Sequence, residues 1–226
     1  GKVLPAIPKK SYPKKFNYKV KEAIVPIETQ RYLVAKRKIP NKIVRLFFSY
    51  DLISQNENNE VIFKWFKGDK VVGFSKQGTI PLTDEEKEKY HTKRDFFKYV
   101  APTTEADTMW GFNYLSGEPK HIFFFESEID LLSYYSIFEE ELNETGNFWL
   151  ISINGVAIEK VYSFFRYGIE NLNLKETCQS LHVCFDNDIA GKQACNKLQH
   201  LEFKNIPFQN DLPKEFKDWN EVLQNK

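Results

Sequence analysis

The chain has 226 residues, of which 42% are hydrophobic and 15% aromatic, so it can build one large core or two modest lobes. Its longest apolar runs are only a handful of residues, which excludes a membrane-spanning helix, and its lysine-rich start lacks the apolar stretch of a signal peptide. The net charge of +1 excludes neither an acidic nor a basic partner, because the charges are distributed unevenly.

The first 50 residues carry most of the positive charge. They hold 13 Lys and Arg and two acids, or 13 − 2 = +11, whereas the remainder holds 19 − 29 = −10. Residues 1–21 contain three prolines among these lysines, which predicts a basic extended arm. The arm interleaves aromatic residues with Lys14 and Lys15, which are candidate contacts to a nucleic acid. A lysine-rich arm that is merely solvated explains the same charge, and both interpretations stay open.

Residues 22–117 predict a smaller α+β lobe of basic character. Pro40 separates two short helical patterns, as a proline in a first helical turn does. Thr83 and Glu86 have the spacing of a capping box that opens a charged helix. The expected elements are helices over 27–39, 40–53 and 84–91, strands over 60–66 and 70–78, and an irregular segment over 92–120.

Residues 118–226 alternate between apolar strand patterns and helical patterns. Such alternation predicts an α/β domain, with a parallel sheet flanked by helices on both faces. The expected strands cover 121–125, 148–153, 181–185 and 204–209, and the expected helices cover 128–142, 154–168 (after a turn), 190–201 and 214–224.

The cysteines and histidines indicate no structural metal site. Cys178, Cys184 and Cys195 show no C-x-x-C spacing and do not combine with the four histidines into a zinc pattern. An odd number of unpaired cysteines indicates reduced thiols and a cytoplasmic location. Core packing is the expected role of Cys184.

Acids follow directly after two of the predicted strands in this second region. Glu126 follows "HIFFF", and Asp186 and Asp188 follow "LHVCF". In an open parallel sheet the active crevice lies beyond the carboxyl ends of the strands, so neighbouring strands would bring these acids together. Close carboxylates repel, and Mg²⁺ or Mn²⁺ would remove the conflict. Helix capping by Asp188 and a first-turn dipole contact by Asp130 are the structural alternatives.

The blocks "FFFESEIDLLS" and "VCFDNDIAGKQA" resemble the two signature blocks of the Toprim family, which includes bacterial primases, topoisomerases and nucleases. Glu126 and Asp130 match the first block, and Asp186 and Asp188 match the second. The resemblance implies a Toprim-like Rossmannoid fold, with these acids binding Mg²⁺ or Mn²⁺ for phosphoryl chemistry. Ser127 replaces the usual glycine, as in Toprim-like proteins of plasmids and mobile elements. The ending "KDWNEVLQ" resembles the same subgroup and makes Asp218 a further candidate ligand.

The first half resembles, more loosely, the part of the bacterial primase core that precedes the Toprim domain. In primases the corresponding hairpin faces template and nucleotides with basic residues, which implies that role for Lys64, Lys67 and Lys76. The zinc ribbon of complete bacterial primases has no counterpart in this sequence, so the resemblance alone does not imply that this chain engages a template and initiates synthesis by itself.

The resemblance implies a primase-like nucleotidyl transferase of plasmid or mobile-element replication, with Glu126, Asp186 and Asp188 as catalytic acids. Its expected partners are single-stranded DNA, nucleoside triphosphates and proteins of replication or conjugation. No association with a membrane is expected. A metal-dependent Toprim nuclease and a non-catalytic DNA-binding module are the alternatives, since the same acids serve synthesis and cleavage.

Overall fold

A computed structural model describes residues 9–200 and 205–226. Within these residues the chain forms a four-stranded and a five-stranded sheet, and the buried side chains of both sheets belong to one hydrophobic core. The start of the predicted arm, the end of the predicted helix over 190–201 and the start of the predicted strand over 204–209 lie outside the described residues.

The first sheet is antiparallel, with strands in the order β1-β2-β3-β4. Alternate residues of β2 face opposite sides, so Phe63 and Trp65 enter the shared core while Ile62 and Lys64 face outwards. The arm covers part of this outer face, where Phe16 and Tyr18 pack on Phe74 with ring centroids 6.4 and 5.8 Å apart. The strands are β1 Ile53–Gln55, β2 Val61–Lys67, β3 Lys70–Gln77 and β4 Lys98–Val100.

Two predicted helices of the first half differ from the structure. The helix expected over 27–39 is a short α-helix and a π-helical turn that ends at Lys36. The predicted helix over 40–53 ends at Ser49, and β1 occupies its expected last residue. The capping box is confirmed, because Thr83 accepts from the Glu86 N–H and Glu86 accepts from the Thr83 N–H. The elements are α1 Ile27–Arg31, a π-helical turn Tyr32–Lys36, α2 Asn41–Ser49 and α3 Asp84–Lys89.

The second sheet has the order β5-β7-β6-β8-β9, with β6 to β9 parallel and β5 antiparallel at one edge. The segment 92–120 was expected to be irregular, yet it contains both β4 and β5. Since β5 pairs with β7, the second sheet begins before residue 118. The strands are β5 Asn113–Ser116, β6 His121–Phe125, β7 Phe148–Ser152, β8 Ser180–Val183 and β9 Phe208–Asn210.

Helices flank both faces of this sheet, as predicted. Phe123 and Phe124 point to opposite faces of β6, and their rings contact Tyr134 of α4 and Phe165 of α6, respectively. The single helix expected over 128–142 is two helices that meet at Phe138. The helices are α4 Glu128–Ile137, α5 Glu139–Thr145, α6 Ile158–Asn171, α7 Leu174–Thr177, α8 Ile189–Gln199 and α9 Trp219–Gln224.

Aromatic residues join the two sheets. Trp110 stacks on Phe164 at 3.9 Å and lies 6.3 Å from Trp149, while its indole N–H donates to the Phe66 carbonyl of the first sheet. Such large buried rings dominate core energetics, so the two sheets are held in a fixed relation. Among the described residues, every helix is too short or too polar to cross a lipid bilayer.

Candidate metal and nucleic-acid site

The ends of β6 and β8 bring the first two acids together. The two strands are parallel neighbours with Phe124 opposite Val183, so the residues that follow them emerge at one edge of the sheet. There the Asp186 backbone N–H donates to Glu126 Oε2 at 2.5 Å. The predicted convergence of Glu126 with Asp186 is therefore present in the structure.

Asp130 reaches the same edge from the first turn of α4. Ser127 caps this helix by accepting from the Asp130 N–H at 3.1 Å, and its hydroxyl donates to Asp130 Oδ2 at 2.8 Å. The Asn220 N–H donates to the other oxygen, Oδ1, at 3.0 Å. Ser127, which stands where the Toprim resemblance has a glycine, thus orients a buried carboxylate.

Asp130, Asp186 and Asp218 form the tightest group of acids, with one carboxylate oxygen of each within 4.8 Å of the others. Asp218 is held in place because it caps α9, accepting from the Glu221 N–H at 2.8 Å. The sequence ranked Asp130 and Asp218 behind Glu126 and Asp188 as ligands, and the structure places these two beside Asp186. Three convergent hard oxygens are a ligand set that suits a divalent cation.

Asp188 has the capping role that the sequence left open. Its Oδ1 accepts from the Gly191 N–H at 2.8 Å at the start of α8, and it stands outside the group of three acids. Gly191 is needed there, because a Cβ at this position would overlap the Asp186 carbonyl and lie 3.1 Å from Glu126 Oε2. The charge of Asp188 still helps to raise the pKa values of Glu126 and Asp186.

The acids are protonated more readily than ordinary carboxylic acids. Burial, followed by the charge of Asp218, raises the pKa of Asp130 to about 8, and burial with the charge of Glu126 raises the pKa of Asp186 to about 7. Burial also raises the pKa of Glu126, against the effect of its hydrogen bond from Asp186. A bound cation would favour the ionised forms, so the residues present fit a divalent metal.

These acids lie in a cleft of about 470 Å³ that is also lined by four cationic residues. Arg37 is fixed by a hydrogen bond from Nε to the Tyr32 hydroxyl at 2.7 Å. Arg94 and Lys98 are exposed, and no acid among the described residues lies within ion-pair distance of either. The four residues, which sequence analysis did not single out, are Arg37, Arg94, Lys98 and Lys217.

Comparison with known proteins agrees with this arrangement. Residues 123–223 match the family model described as Toprim-like. This part of the chain is a Toprim-like domain. Residues 31–102 match a second model, described as a protein of unknown function, DUF3991. The chain is also 33% identical over 177 residues to an uncharacterized protein of Bacillus anthracis, covering 77% of this chain and 47% of that protein, so it spans about half the length of this relative.

Two solved structures of similar fold each cover most of this chain. The primase fragment of the bacteriophage T7 primase-helicase protein has a TM-score of 0.55 and 15% identity, with 94% of this chain and 77% of that chain covered. The RNA polymerase domain of Mycobacterium tuberculosis primase DnaG has a TM-score of 0.51 and 14% identity, with coverage of 88% and 74%. The Toprim-like domain and the lobe before it therefore have the architecture of phage and bacterial primase cores.

The lysines predicted on the first lobe are placed differently from the acids of the Toprim-like domain. Lys64 is buried under the arm, and its ammonium group lies 2.5 Å from both Glu22 and Asp51. This corrects the expectation that Lys64 contacts nucleic acid, because the residue is neither exposed nor unpaired. No local sequence pattern indicates this pairing, since Glu22 and Asp51 are distant from Lys64 along the chain.

Lys67 and Lys76 are also engaged in ion pairs. Lys67 pairs with Asp107 at 2.9 Å and Lys76 pairs with Glu60 at 3.0 Å, and both ammonium groups are largely covered. Neither carries free charge for a polyanion, which weakens the expectation for both residues. Lys14 and Lys15 are exposed, but the neighbouring aromatic residues of the arm pack on the sheet.

Asn220 connects the Toprim-like domain with the first lobe, and its role was not apparent in the sequence. Its side-chain amide donates to the Arg37 carbonyl at 2.8 Å and to Ser133 Oγ at 2.9 Å. Its backbone N–H is the donor to Asp130 described above. Asn220 therefore positions both an acid and an arginine of the cleft. In the sequence, the only hint of this role is its place in "DWN", two residues after Asp218.

Proposed function

We propose that this chain is a primase-like nucleotidyl transferase that joins nucleotides on a single-stranded DNA template, in the replication of a plasmid or mobile element. The observation that carries the proposal is the cleft, where Asp130, Asp186 and Asp218 converge beside Glu126 and opposite unpaired cationic side chains. Phosphoryl transfer needs this combination, because the protein contributes mainly positioning and charge stabilisation.

Asp130, Asp186 and Asp218 would hold Mg²⁺ or Mn²⁺, with Asp188 supporting the site through its charge and its helix cap. A divalent ion bound there supplies the positive charge that stabilises developing charge on phosphate oxygens. Ser127 and Asn220 keep the Asp130 carboxylate aimed into the cleft from both of its oxygens. The ligand set is therefore organised before any ion arrives, which lowers the ordering cost of binding.

Glu126 is the acid that we place nearest the reacting phosphate, as a metal ligand or as the general base. Its Oε2 accepts a hydrogen bond from the Asp186 N–H, which orients the carboxylate at the end of β6. Burial raises the pKa of Glu126 above that of an ordinary glutamate, and a higher pKa makes the carboxylate a stronger base.

The cationic residues of the cleft would contact the polyanionic substrates. Arg94 and Lys98 border the acids from the first lobe, and Lys217 borders them from the loop before α9. They would neutralise the triphosphate and the template, which is the role that sequence analysis assigned to Lys64, Lys67 and Lys76. Protein partners from replication or conjugation and a cytoplasmic location complete the proposal.

The test is an incubation of the chain with single-stranded DNA, labelled nucleoside triphosphates and Mg²⁺ or Mn²⁺, followed by separation of the products by length. New oligonucleotides that require Glu126 support the proposal, with Glu126→Gln as the variant and Glu141→Gln, on the exposed side of α5, as the matched control. Shortened DNA without new oligonucleotides would identify a nuclease instead. If the chain binds the metal but forms neither product, both the nucleotidyl transferase and the nuclease activity are contradicted.

A further inference from the structure

A second surface of the first lobe combines exposed aromatic rings with positive charge. Residues 89–99 contain four basic residues and one acid, or 4 − 1 = +3, and the acid, Asp95, is paired with Lys87. Within this segment Tyr90 is 45% exposed and Tyr99 is 42% exposed. Exposed tyrosines between unpaired cations are the arrangement that binds single-stranded nucleic acid through stacking and phosphate contacts.

The aromatic side chains lie on the outer face of the first sheet. Tyr99 is opposite Lys76 in the register of β4 with β3, and the Lys76 ammonium lies 5.3 Å from the Tyr99 ring and 5.8 Å from the Phe97 ring. The Phe97 ring in turn lies 5.5 Å from the Tyr90 ring. We call these three residues, Tyr90, Phe97 and Tyr99, the aromatic patch.

The described part of the arm, residues 9–21, leaves the aromatic patch uncovered. Its Phe16 and Tyr18 occupy the neighbouring part of the same outer face, over Phe74. Since Phe74 and Lys76 are two positions apart on β3, their side chains share that face, and the covered and uncovered parts adjoin. The arm therefore uses its aromatic residues for packing, whereas those of the patch remain available to a ligand.

The strand β4 forms the rim between the aromatic patch and the acid cleft. Lys98 and Val100 alternate with Tyr99 and face the other way, beside Gln77 and Ser75, and Ser75 donates to Glu128 of the Toprim-like domain at 2.5 Å. All three residues of β4 are exposed, and they border the cleft. A chain that leaves the cleft over this rim reaches the aromatic patch directly.

We propose that the aromatic patch is a stacking surface for a single-stranded nucleic acid that extends from the cleft across β4. Bases would stack on Tyr99 and Tyr90, and Lys93, Arg94 and Lys98 would contact the phosphates. The inference rests on the proposed function, because it supplies the path of the template beyond the acids. Charge favours this occupant over an apolar peptide segment, since the exposed cations around the rings would be left unpaired by such a peptide.

The experiment measures fluorescence anisotropy of two labelled strands of equal length, oligothymidylate and an abasic oligonucleotide. Tyr99→Ala should bind oligothymidylate about tenfold more weakly than wild type, because one stacking contact is lost. The abasic strand should bind both proteins equally, and Tyr99→Phe should retain wild-type affinity. Tyr162→Ala is the matched control, since Tyr162 is 38% exposed on α6, away from the cleft lining.

Equal binding of oligothymidylate by Tyr99→Ala and wild type would overturn the inference. An equal loss with the abasic strand would overturn it too, since that result indicates an effect without bases. Nucleotide incorporation is measured on the same variants to separate this inference from the proposed function. Base stacking at Tyr99 without nucleotide incorporation would contradict the proposed nucleotidyl transfer and support the stacking surface. Nucleotide incorporation with unchanged DNA binding by Tyr99→Ala would contradict the stacking surface alone.

Discussion

The carboxyl edge of the second sheet and the outer face of the first sheet handle charge in opposite ways. At the carboxyl edge Asp130, Asp186 and Asp218 face one another, and burial and mutual repulsion raise the pKa values of the first two. On the first sheet Lys64 and Lys76 are each paired with acids. Charge that is neutralised within the protein serves its structure, and charge left uncompensated indicates an external partner.

Of these two regions, only the carboxyl edge of the second sheet lowers the stability of the fold. The buried Lys64 ammonium group is satisfied by its two acids, whereas three close carboxylates destabilise the protein whenever they are all ionised. A protein that kept the acids without using them would be less stable than one with amides in their place. The comparison therefore predicts effects on activity and metal binding at the edge, and effects on stability under the arm.

The largest expected effect is on the proposed nucleotidyl transfer at the carboxyl edge of the second sheet. Glu126→Gln should lower nucleotide incorporation about a thousandfold, because an amide supplies neither a proton acceptor nor full negative charge. Asp188→Asn should retain much more activity, especially with Mn²⁺, since asparagine also caps helices well. Turnover of both variants in both metals, with thermal melts as the folding control, measures this difference. Wild-type turnover by Glu126→Gln would remove Toprim chemistry from this protein.

A second prediction concerns the backbone that places the acids. Gly191→Ala should destabilise the protein by about 3 kcal/mol, because the new methyl group overlaps the Asp186 carbonyl. Gly78→Ala is the control, since a Cβ there would be 3.4 Å from its nearest neighbour, Phe97 Cβ. Urea denaturation of the two variants gives the comparison. A Gly191→Ala protein as stable as wild type would show that the strand end is not tightly packed against α8.

The raised pKa of Asp130 gives a pH-dependent prediction. Its folded pKa of about 8 exceeds the ordinary value of 3.8, so the metal-free protein loses stability as pH rises from about 4 to about 8. Asp130→Asn is neutral at every pH, and its Oδ1 can still accept from the Asn220 N–H while its amide N–H can donate to Ser127 Oγ. The variant should gain about 2 kcal/mol over wild type at about pH 8, and almost nothing below about pH 4.

Thermal melts in a chelator across this pH range measure the gain. Asp84→Asn, at the exposed start of α3, is the control and should show no such pH dependence. A constant difference between Asp130→Asn and wild type at every pH would mean that Asp130 is not held near its neutral form.

The smallest expected effects distinguish a lysine paired within the protein, Lys64, from an unpaired lysine of the cleft, Lys98. Lys64→Met should lower stability by about 1 kcal/mol and leave the salt dependence of DNA binding unchanged, because Lys64 is buried and paired while its acid partners remain accessible to solvent. Lys98→Met should leave stability unchanged and reduce the slope of log affinity against log salt by about 1. Binding titrations at several salt concentrations decide between them, and the same slope for both variants would contradict the distinction.

The sequence predicted the acids better than the lysines for a physical reason. Residues directly after parallel strands emerge at one edge whatever the rest of the fold does, so Glu126 and Asp186 could be placed from strand patterns alone. The side chain of Lys64 faces a direction set by strand alternation, but its burial depends on the arm and on two acids distant along the chain. No local pattern contains that information.

The same contrast explains the parts of the site that sequence analysis missed. Asn220 joins the cleft because α9 packs on α4, which is a tertiary contact. The same contact brings in Asp218, which the sequence had offered as a further candidate ligand. Arg94 and Lys98 lie in a segment whose three-residue strand β4 is too short to show alternation. The helix over 128–142 was predicted as one element because its apolar spacing continues through Phe138, where the structure has a break.

Mn²⁺ binding is the measurement that tests the central claim most directly. The electron paramagnetic resonance signal of free Mn²⁺ gives the dissociation constant for wild type, Asp186→Asn and Asp188→Asn. Asp186→Asn should bind at least about tenfold more weakly than wild type, since it loses a charged ligand, whereas Asp188→Asn should stay close to wild type. Equal binding by Asp186→Asn and wild type would contradict a metal site at the carboxyl edge of the second sheet.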